Sequence, residues 1–449
     1  MRNAWLQIKK TFPHGIHPPE LKDLTKDKPI RRFPFAPEMI IPLSQHTGAP
    51  AKPIVREGQE VVRGEPIADA GGFVSVPMHA PATGRIARIG LCRDTRGGMT
   101  PAVFLKVYPS ASQEILYGSE VDVDALPPKD LVKAVQDTGV VGLGGAAFPT
   151  HVKLVLPEGR SVDTIVVNGC ECEPYLTTDH RVMLEYPEAI MQGIRVVLRA
   201  LSAKQAVIGV EKNKMDAIAR LQRFVPGDLP IEVRAVETKY PQGAEKMLVK
   251  ALLGRNIPSG GLPYEVHVGV FNVATLAQIG ELLPRKQGLI ERVVTVTGPG
   301  VKEPGNYLLP IGTPLEYVLD RVGLTAEPDE IIFGGPMMGA SIVSREVPIT
   351  KGITGIVVFP RGQGSRNGHS TEYPCIRCGQ CVDACPMHLN PSTLGLLARN
   401  RVYDEMVDRY HLMDCFECGC CAYVCPSAIP LVHHFRVAKS FARERKAKS

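Results

Sequence analysis

Aromatic side chains are scarce in this 449-residue chain, at 6% with a single tryptophan, Trp5. No stretch approaches the roughly eighteen consecutive apolar residues that a membrane-spanning helix needs. Residues 1–11 lack the apolar core of an export signal, so a reducing, cytoplasmic setting is expected. Charge of either sign hardly dominates: 52 Lys and Arg against 46 Asp and Glu leave a net +6. That is too little to argue for a polyanion, and no nucleic-acid partner is expected. The basic excess gathers at Arg436–Lys448, where a solvated helix end and a docking patch for a membrane surface or acidic partner are both open readings. Length and ordinary hydrophobicity (44%) imply several well-buried domains.

Cysteine is the residue that is present in a pattern. Cys375, Cys378, Cys381 and Cys385 before Pro386 spell C-x2-C-x2-C-x3-C-P, and Cys415, Cys418, Cys421 and Cys425 before Pro426 spell it again across a spacer that reads as helical. Structural zinc sites pair two C-x2-C units and have no use for the third and fourth cysteines of each run. Disulfide frameworks belong to short secreted chains. In the iron–sulfur pattern the first three thiolates of a run converge on one cubane and the fourth ligates the partner cluster. The expected sets are therefore Cys375, Cys378, Cys381 and Cys425 for one [4Fe-4S] cluster, and Cys415, Cys418, Cys421 and Cys385 for the other.

Upstream, the periodicity changes several times. Residues 1–34 form an arm whose Gly15-Ile-His-Pro-Pro19 stretch stays extended. Residues 35–112 read as short strands broken by glycine and proline turns, with Gly58 and Gly64 six apart, the mark of a small barrel-sandwich. This segment resembles lipoyl and biotinyl carrier domains, but no lysine lies between Gly64 and Gly84 to carry a swinging cofactor. Residues 113–290 alternate helix and strand: helix at 130–137, strands at 163–167, 206–210, 231–236 and 266–270, and a helix at 213–224. That order predicts an α/β sandwich. Residues 291–360 read as a β-grasp-like module with a helix over 314–322. Residues 361–368 form a Gly/Ser-rich linker into the cluster segment, 361–449. The fold class is thus multidomain α/β plus α+β, ending in a helical ferredoxin-like unit.

Within the α/β segment, Gly142-Leu-Gly144-Gly145-Ala-Ala-Phe148-Pro-Thr-His-Val-Lys153 imitates a Rossmann fingerprint. A helix precedes it where a Rossmann loop must follow a strand. A glycine-rich loop opening a helix still offers amides to a phosphate, with Lys153 one turn in; a bare structural turn is the alternative. Asn168-Gly-Cys170-Glu171-Cys172-Glu173-Pro-Tyr175 stands at the C-terminal end of a strand, where such sheets bind ligands. Tyr240-Pro-Gln-Gly243-Ala-Glu245 and Phe271-Asn272-Val-Ala-Thr275 follow.

In this order the four blocks resemble the FMN- and NADH-binding fold of complex I's NADH-oxidising flavoprotein. The resemblance implies that Gly142, Gly144, Gly145 and Lys153 hold the FMN phosphate. It implies that Asn168, Glu171, Glu173, Glu245 and Asn272 grip the ribityl chain and ring, and that Phe148 stacks on the nicotinamide nucleotide. Cys170 and Cys172 replace an aspartate and a serine of that pattern, leaving fewer hydrogen bonds for flavin; like Cys92 and Cys420, they read as buried, inert thiols.

Arm, barrel, flavin fold, β-grasp (SLBB-like) module and paired cluster motif together are similar, over essentially the whole chain, to the RnfC family of the Rnf complexes. Those complexes are membrane-bound, ion-translocating ferredoxin:NAD+ oxidoreductases. The extended C-terminal tail that some members carry is absent. The resemblance implies a peripheral subunit on the cytoplasmic face of the cell membrane, where NAD(H) meets FMN and two [4Fe-4S] clusters. The implied partners are a ferredoxin-accepting iron–sulfur subunit and integral membrane subunits. Nicotinamide exchanges two electrons and a cubane one, so a flavin between them makes chemical sense. A soluble FMN/iron–sulfur cobalamin reductase, and a non-catalytic relay or assembly adaptor with a degenerate flavin pocket, are the rivals.

Overall fold

The computed structural model describes residues 10–95, 97–364 and 371–448, with the side chains of 446–448 left aside. Trp5, most of the segment read as lacking an export signal, and residues 365–368 of the expected linker lie outside the described residues.

The arm is extended, as its prolines require, but it does not hang free. Ile16 pairs with Tyr240 in a two-residue bridge, and β1 (Ile30–Arg32) runs parallel to a strand of the β-grasp sheet nearly 280 positions later. The barrel-sandwich comprises β2 (Glu38–Pro42), β3 (Lys52–Pro53), β4 (Glu60–Val61), β5 (Pro66–Asp69), β6 (Met78–His79), β7 (Gly84–Arg93) and β8 (Met99–Val107). These form a four-stranded sheet, β2-β8-β7-β4, and a three-stranded one, β3-β5-β6. Alternate inward residues such as Met39, Ile41, Ile67, Met78, Ile86 and Leu105 make its core.

The α/β unit follows: α1 (Pro128–Asp137), β9 (Thr164–Gly169), α2 (Thr178–Glu185), α3 (Pro187–Leu201), β10 (Gln205–Glu211), α4 (Met215–Phe224), β11 (Ile231–Val236), α5 (Glu245–Leu253), β12 (Val268–Asn272) and α6 (Val273–Leu282). Its sheet is all parallel in the order β11-β10-β9-β12. Helices cover both faces, so β9 (TIVVNG) and β10 (QAVIGVE) read as near-continuous apolar runs. Leu248, Val249 and Leu252 of α5 pack on one face with Val166, Val207 and Val270. Residues of α2, α3, α4 and α6 cover the other with Ile165, Val167, Ile208 and Phe271.

The β-grasp unit contains β13 (Glu291–Thr297), β14 (Gly305–Pro310), α7 (Leu315–Val322), β15 (Pro328–Phe333), β16 (Ala340–Ser341) and β17 (Gly355–Pro360). Its mixed sheet runs β1-β14-β13-β17-β15-β16, with Leu315, Val318, Leu319 and Val322 of α7 on its face. The terminal segment is helical: α8 (Gln380–Asp383), α9 (Pro391–Arg399), α10 (Tyr403–Asp408), α11 (Cys420–Tyr423) and α12 (Leu431–Lys448). The basic residues of α12 are partly spent internally. Lys439 is 5% exposed and pairs with Glu417, as does Arg436, and Arg445 meets Asp404.

Candidate functional site

The strand order reverses between β9 and β12: β10 and β11 extend the sheet to one side of β9, and β12 to the other. Ligands of open α/β sheets sit outside the carboxyl ends of the strands at such a point. Asn168 is the penultimate residue of β9 and Asn272 ends β12, and the two are paired in register. Strand β12 runs straight into α6, and the Asn272 side chain makes that corner: its Oδ1 accepts from the amides of Ala274 and Thr275, 2.9 and 3.2 Å.

The glycine-rich loop lies over this point. Gly142 N donates to Phe148 O and Ala147 N to Gly142 O, at 2.8 and 3.1 Å, closing the loop at its base. Leu143 N donates to Thr275 Oγ1 at 2.9 Å, fastening it to α6. Gly144, Gly145 and Ala146 are left exposed at its tip. A Cβ on Gly144 would touch the Asn272 side chain at 3.4 Å, and Gly145 has φ +114, a conformation glycine adopts freely. The expected helix after the loop is only a 3-10 turn, Thr150–Leu154. With Pro149 ahead of it and β-branched Thr150 and Val152 within it, the segment does not propagate. An anion here would meet loop amides and Lys153 rather than a helix dipole. The Lys153 ammonium donates to Val270 O at 3.2 Å and lies 3.8 Å from Glu245 Oε2. Phe148, which closes the loop with Gly142, is half-buried.

The remaining predicted side chains face inward. Asn168 Nδ2 donates to Gly243 O (2.8 Å) and its Oδ1 accepts from Cys170 N (3.0 Å), tying the second block to the third. Glu171 caps α2 by accepting from the amides of Asp179 and His180, 2.9 and 3.3 Å. Glu173 accepts from the amides of Met337 and Met338, 3.0 and 2.8 Å, in the β-grasp unit. Gly335 comes so close that any Cβ there would overlap the Glu173 carboxylate. Burial pushes the Glu173 carboxyl up to about 7 against the pull of those two amides. Burial, then the neighbouring Glu171, likewise raises Asp179 to about 7, and Asp179 accepts from Asn272 Nδ2 at 2.6 Å. Burial raises the thiols of Cys170 and Cys172, so neither is a ready nucleophile.

Sequence reasoning missed three participants. Lys22 of the arm is fully buried and donates to the carbonyls of Glu171, Glu173 and Leu176 at 2.7, 3.0 and 2.5 Å, holding the strand-end loop from behind. Arg292, opening the β-grasp unit, reaches the carbonyls of Leu143 and Lys351 beneath the glycine loop. Tyr240 joins the flavin fold to the cluster segment, donating to the Cys418 carbonyl at 2.6 Å. Only the quoted Tyr-Pro-Gln-Gly block drew attention to Tyr240; for Lys22 and Arg292 no local signal existed, because their partners are far away in sequence.

The two cysteine runs fold alike. Arg377 and Glu417 share a left-handed conformation (φ 55 and 62), as do Gly379 and Gly419 (81 and 85). In each run an amide turns back on the first sulfur: Arg377 N to Cys375 Sγ and Glu417 N to Cys415 Sγ, both 3.4 Å. Cys385 joins Cys415, Cys418 and Cys421 around one cavity whose other walls include Leu389, Leu394, Val432 and Phe435. Cys425 neighbours Cys381, together with Cys378 and Cys375. Four sulfurs around one cavity, Cys385, Cys415, Cys418 and Cys421, suit a multi-iron cluster.

Comparison with known proteins agrees with this architecture. Residues 10–107 match the "RnfC Barrel sandwich hybrid domain", 135–281 the "Nuo51 FMN-binding domain", 293–341 the "SLBB domain" and 374–429 the "4Fe-4S dicluster domain". The chain is 40% identical, over 96% of its own length and 94% of the relative's, to the C subunit of the proton-translocating ferredoxin:NAD(+) oxidoreductase complex of Clostridium ljungdahlii. It is 40% identical, over 96% of each chain, to the Na(+)-translocating counterpart from Acetobacterium woodii. The C subunit of the ion-translocating oxidoreductase complex of Rhodobacter capsulatus is 37% identical over 97% of this chain and 83% of its own.

Proposed function

The chain belongs to the RnfC family, the C subunits of ion-translocating ferredoxin:NAD(+) oxidoreductase complexes, and from that premise we propose that it is where NAD(H) exchanges electrons with FMN and two [4Fe-4S] clusters. It is an oxidoreductase subunit of a multi-subunit complex, with an FMN-binding domain and a dicluster domain. No helix among its described residues is long and apolar enough to cross a membrane. We place it as a peripheral subunit on the cytoplasmic face, against integral membrane subunits and an iron–sulfur subunit that exchanges electrons with ferredoxin. The relatives' names, over nearly the full length, favour this reading over a cobalamin reductase or an adaptor.

The observation that carries the proposal is the switch point itself. Asn168 and Asn272 stand abreast under an exposed loop of glycine amides, and the loop after Asn168 packs onto the second cysteine motif through Cys172 and Tyr240. When bound, FMN takes two electrons from nicotinamide and releases them singly. The chain's residues fit its phosphate at the amides of Gly144, Gly145 and Ala146, with Lys153 as the cation and Gly142 closing the loop. Because Asn168, Asn272, Glu171 and Glu173 already have internal partners, they hold the walls of the site. The open face is left to Lys153, Glu245 and, for the nicotinamide, Phe148. Cys375, Cys378, Cys381 and Cys425 would ligate one cluster, and Cys415, Cys418, Cys421 and Cys385 the other.

A cofactor inventory of anaerobically purified protein tests this reading. Close to one FMN and eight non-haem irons per chain are expected, with flavin bleaching on addition of NADH. Protein that retains iron but neither holds flavin nor responds to NADH would overturn it.

A further inference from the structure

The two four-cysteine sites are unequally placed. The second motif is plugged into the flavin fold. Ile16, Tyr240, Ala384 and Cys420 form one buried apolar cluster, with Cys172, Met337 and Cys418 packed against it. Tyr240 is 1% exposed. Its hydroxyl donates to the Cys418 carbonyl, while its backbone amide and carbonyl pair with Ile16 of the arm, each at 2.9 Å. The arm in turn reaches the cluster segment, with Gly15 N donating to Ala384 O at 3.2 Å and the His14 ring against the Asp383 carbonyl at 2.6 Å. Cys172 Sγ accepts from Gly243 N at 3.4 Å, and the Gly243 carbonyl takes the Asn168 amide. Packed groups therefore lead from the switch point, through Gly243, Cys172 and Tyr240, to Cys418.

The first motif touches the arm at its far end, through Asp383 and Ala384 beside Cys385, itself a wall of the second-motif cavity. Cys375 and Cys378 are exposed, and so are their neighbours Tyr373 and Ile376, at 56% and 69%. Reduction adds negative charge to a cluster. Water and hydrogen-bond donors stabilise that charge, whereas apolar burial opposes it, and these effects help set the potential. The inner site, with Cys421 and Cys385 buried and Cys415 and Cys418 partly so, is drier than the outer one, and the two thus make a downhill pair.

Resting on the functional reading above, we propose that the site of Cys415, Cys418, Cys421 and Cys385 is the inner end of the electron path. Tyr240 seats it against the flavin fold, and the site of Cys375, Cys378, Cys381 and Cys425 is the outer end, from which electrons leave the chain. Oxidising one NADH to NAD+ and a proton releases two electrons, one for each site. The outer site delivers its electron to a one-electron acceptor on a partner protein, and the inner site then refills it. Tyr240 acts as a positioning residue: its hydroxyl supplies a donor to the backbone carbonyl of Cys418 in the ligand-bearing turn.

Freeze-quench EPR after mixing full-length protein with NADH, together with the midpoint potential of each cluster, tests this order. In Cys375→Ser the inner signal should still appear at the wild-type rate. In Cys418→Ser the surviving outer cluster should stay oxidised while NADH bleaches the flavin, although dithionite reduces it. Outer-cluster reduction by NADH at the wild-type rate in that variant overturns the order. Should Cys418→Ser lose both clusters, Tyr240→Phe decides. It should lower the inner midpoint alone and slow reduction of that cluster about tenfold, with flavin content and the outer midpoint unchanged. An unchanged inner cluster, or equal shifts of both, overturns the role of Tyr240. Wild-type flavin that NADH fails to bleach is a different failure, of the functional reading itself.

Discussion

One cysteine pattern, used twice, meets two environments. The backbones of the runs agree down to their left-handed residues and their amide-to-sulfur contacts. Their surroundings do not. Around the second run, Glu417 is gripped by Arg436 and Lys439, and Lys439 also donates to the Cys415 carbonyl. Around the first, Arg377 and Ile376 face solvent. Local sequence thus sets how three sulfurs are aimed at a centre. Packing sets how dry that centre is, what it stands beside, and therefore its place in a chain of electron carriers.

The severest way to break the comparison is to remove a fourth ligand. Cys385→Ser lies in the first run by sequence but lines the cavity of the second. Iron counting with site-resolved EPR should show the second-motif cluster damaged and the other present; loss confined to the cluster of Cys375, Cys378 and Cys381 would sink the crossed assignment.

A smaller effect should sharpen the asymmetry. Lys439→Met keeps the stem but leaves the Cys415 carbonyl without its donor and Glu417 with Arg436 alone, costing about 1.5–3 kcal/mol. Heating the holoprotein should bleach the second-motif cluster at a lower temperature than in wild type, while Arg377→Met, on the exposed run, leaves the melting curve where it was.

Acidity probes the junction of the flavin fold with the β-grasp unit beside the second motif. The Glu173 carboxyl, raised to about 7 from an ordinary value near 4.5, binds its proton more tightly folded than unfolded. Its contribution is full below about pH 4.5 and is lost as pH rises through about 7, on the order of 3 kcal/mol. Between pH 5 and 8, wild type should lose more thermal stability than Glu173→Gln; parallel losses would show that the carboxyl is ionised throughout.

The mildest perturbation leaves both clusters alone. Lys153→Ala removes a charge-assisted contact of about 1.5–3 kcal/mol and should weaken FMN binding roughly ten- to a hundredfold. Flavin fluorescence after denaturation measures this, with both cluster signals as internal controls. Phe148→Ala should instead retain flavin and lower the apparent affinity for NADH.

Much of the architecture was legible because it is locally encoded. The cysteine spacings, the apolar runs of β9 and β10, and the glycine turns of the barrel each report their own neighbourhood. So does the helix ahead of the glycine loop, which excluded a Rossmann fold. The sequence could not reveal that the helix after the loop would stop at one 3-10 turn, since Pro149 and the β-branched residues only weight that outcome. Nor could spacing tell which acidic residues of the second block face a ligand. Glu171 and Glu173 look alike in sequence, but one caps α2 and the other grips the β-grasp unit.

By itself, then, the sequence determined the order of the modules, the two cysteine runs and the blocks that surround the switch point. Those depend on residue type and short spacing, which backbone sterics and sulfur chemistry translate directly. Tertiary structure alone decided that the arm would thread between domains to place Lys22 behind the Glu171 loop, and that Arg292 would support the glycine loop. It alone put Tyr240 against Cys418 and left Cys375 in solvent. Each of these joins groups roughly 150 to 180 residues apart or hides a surface from water, and burial between distant segments is a property of the packed chain as a whole.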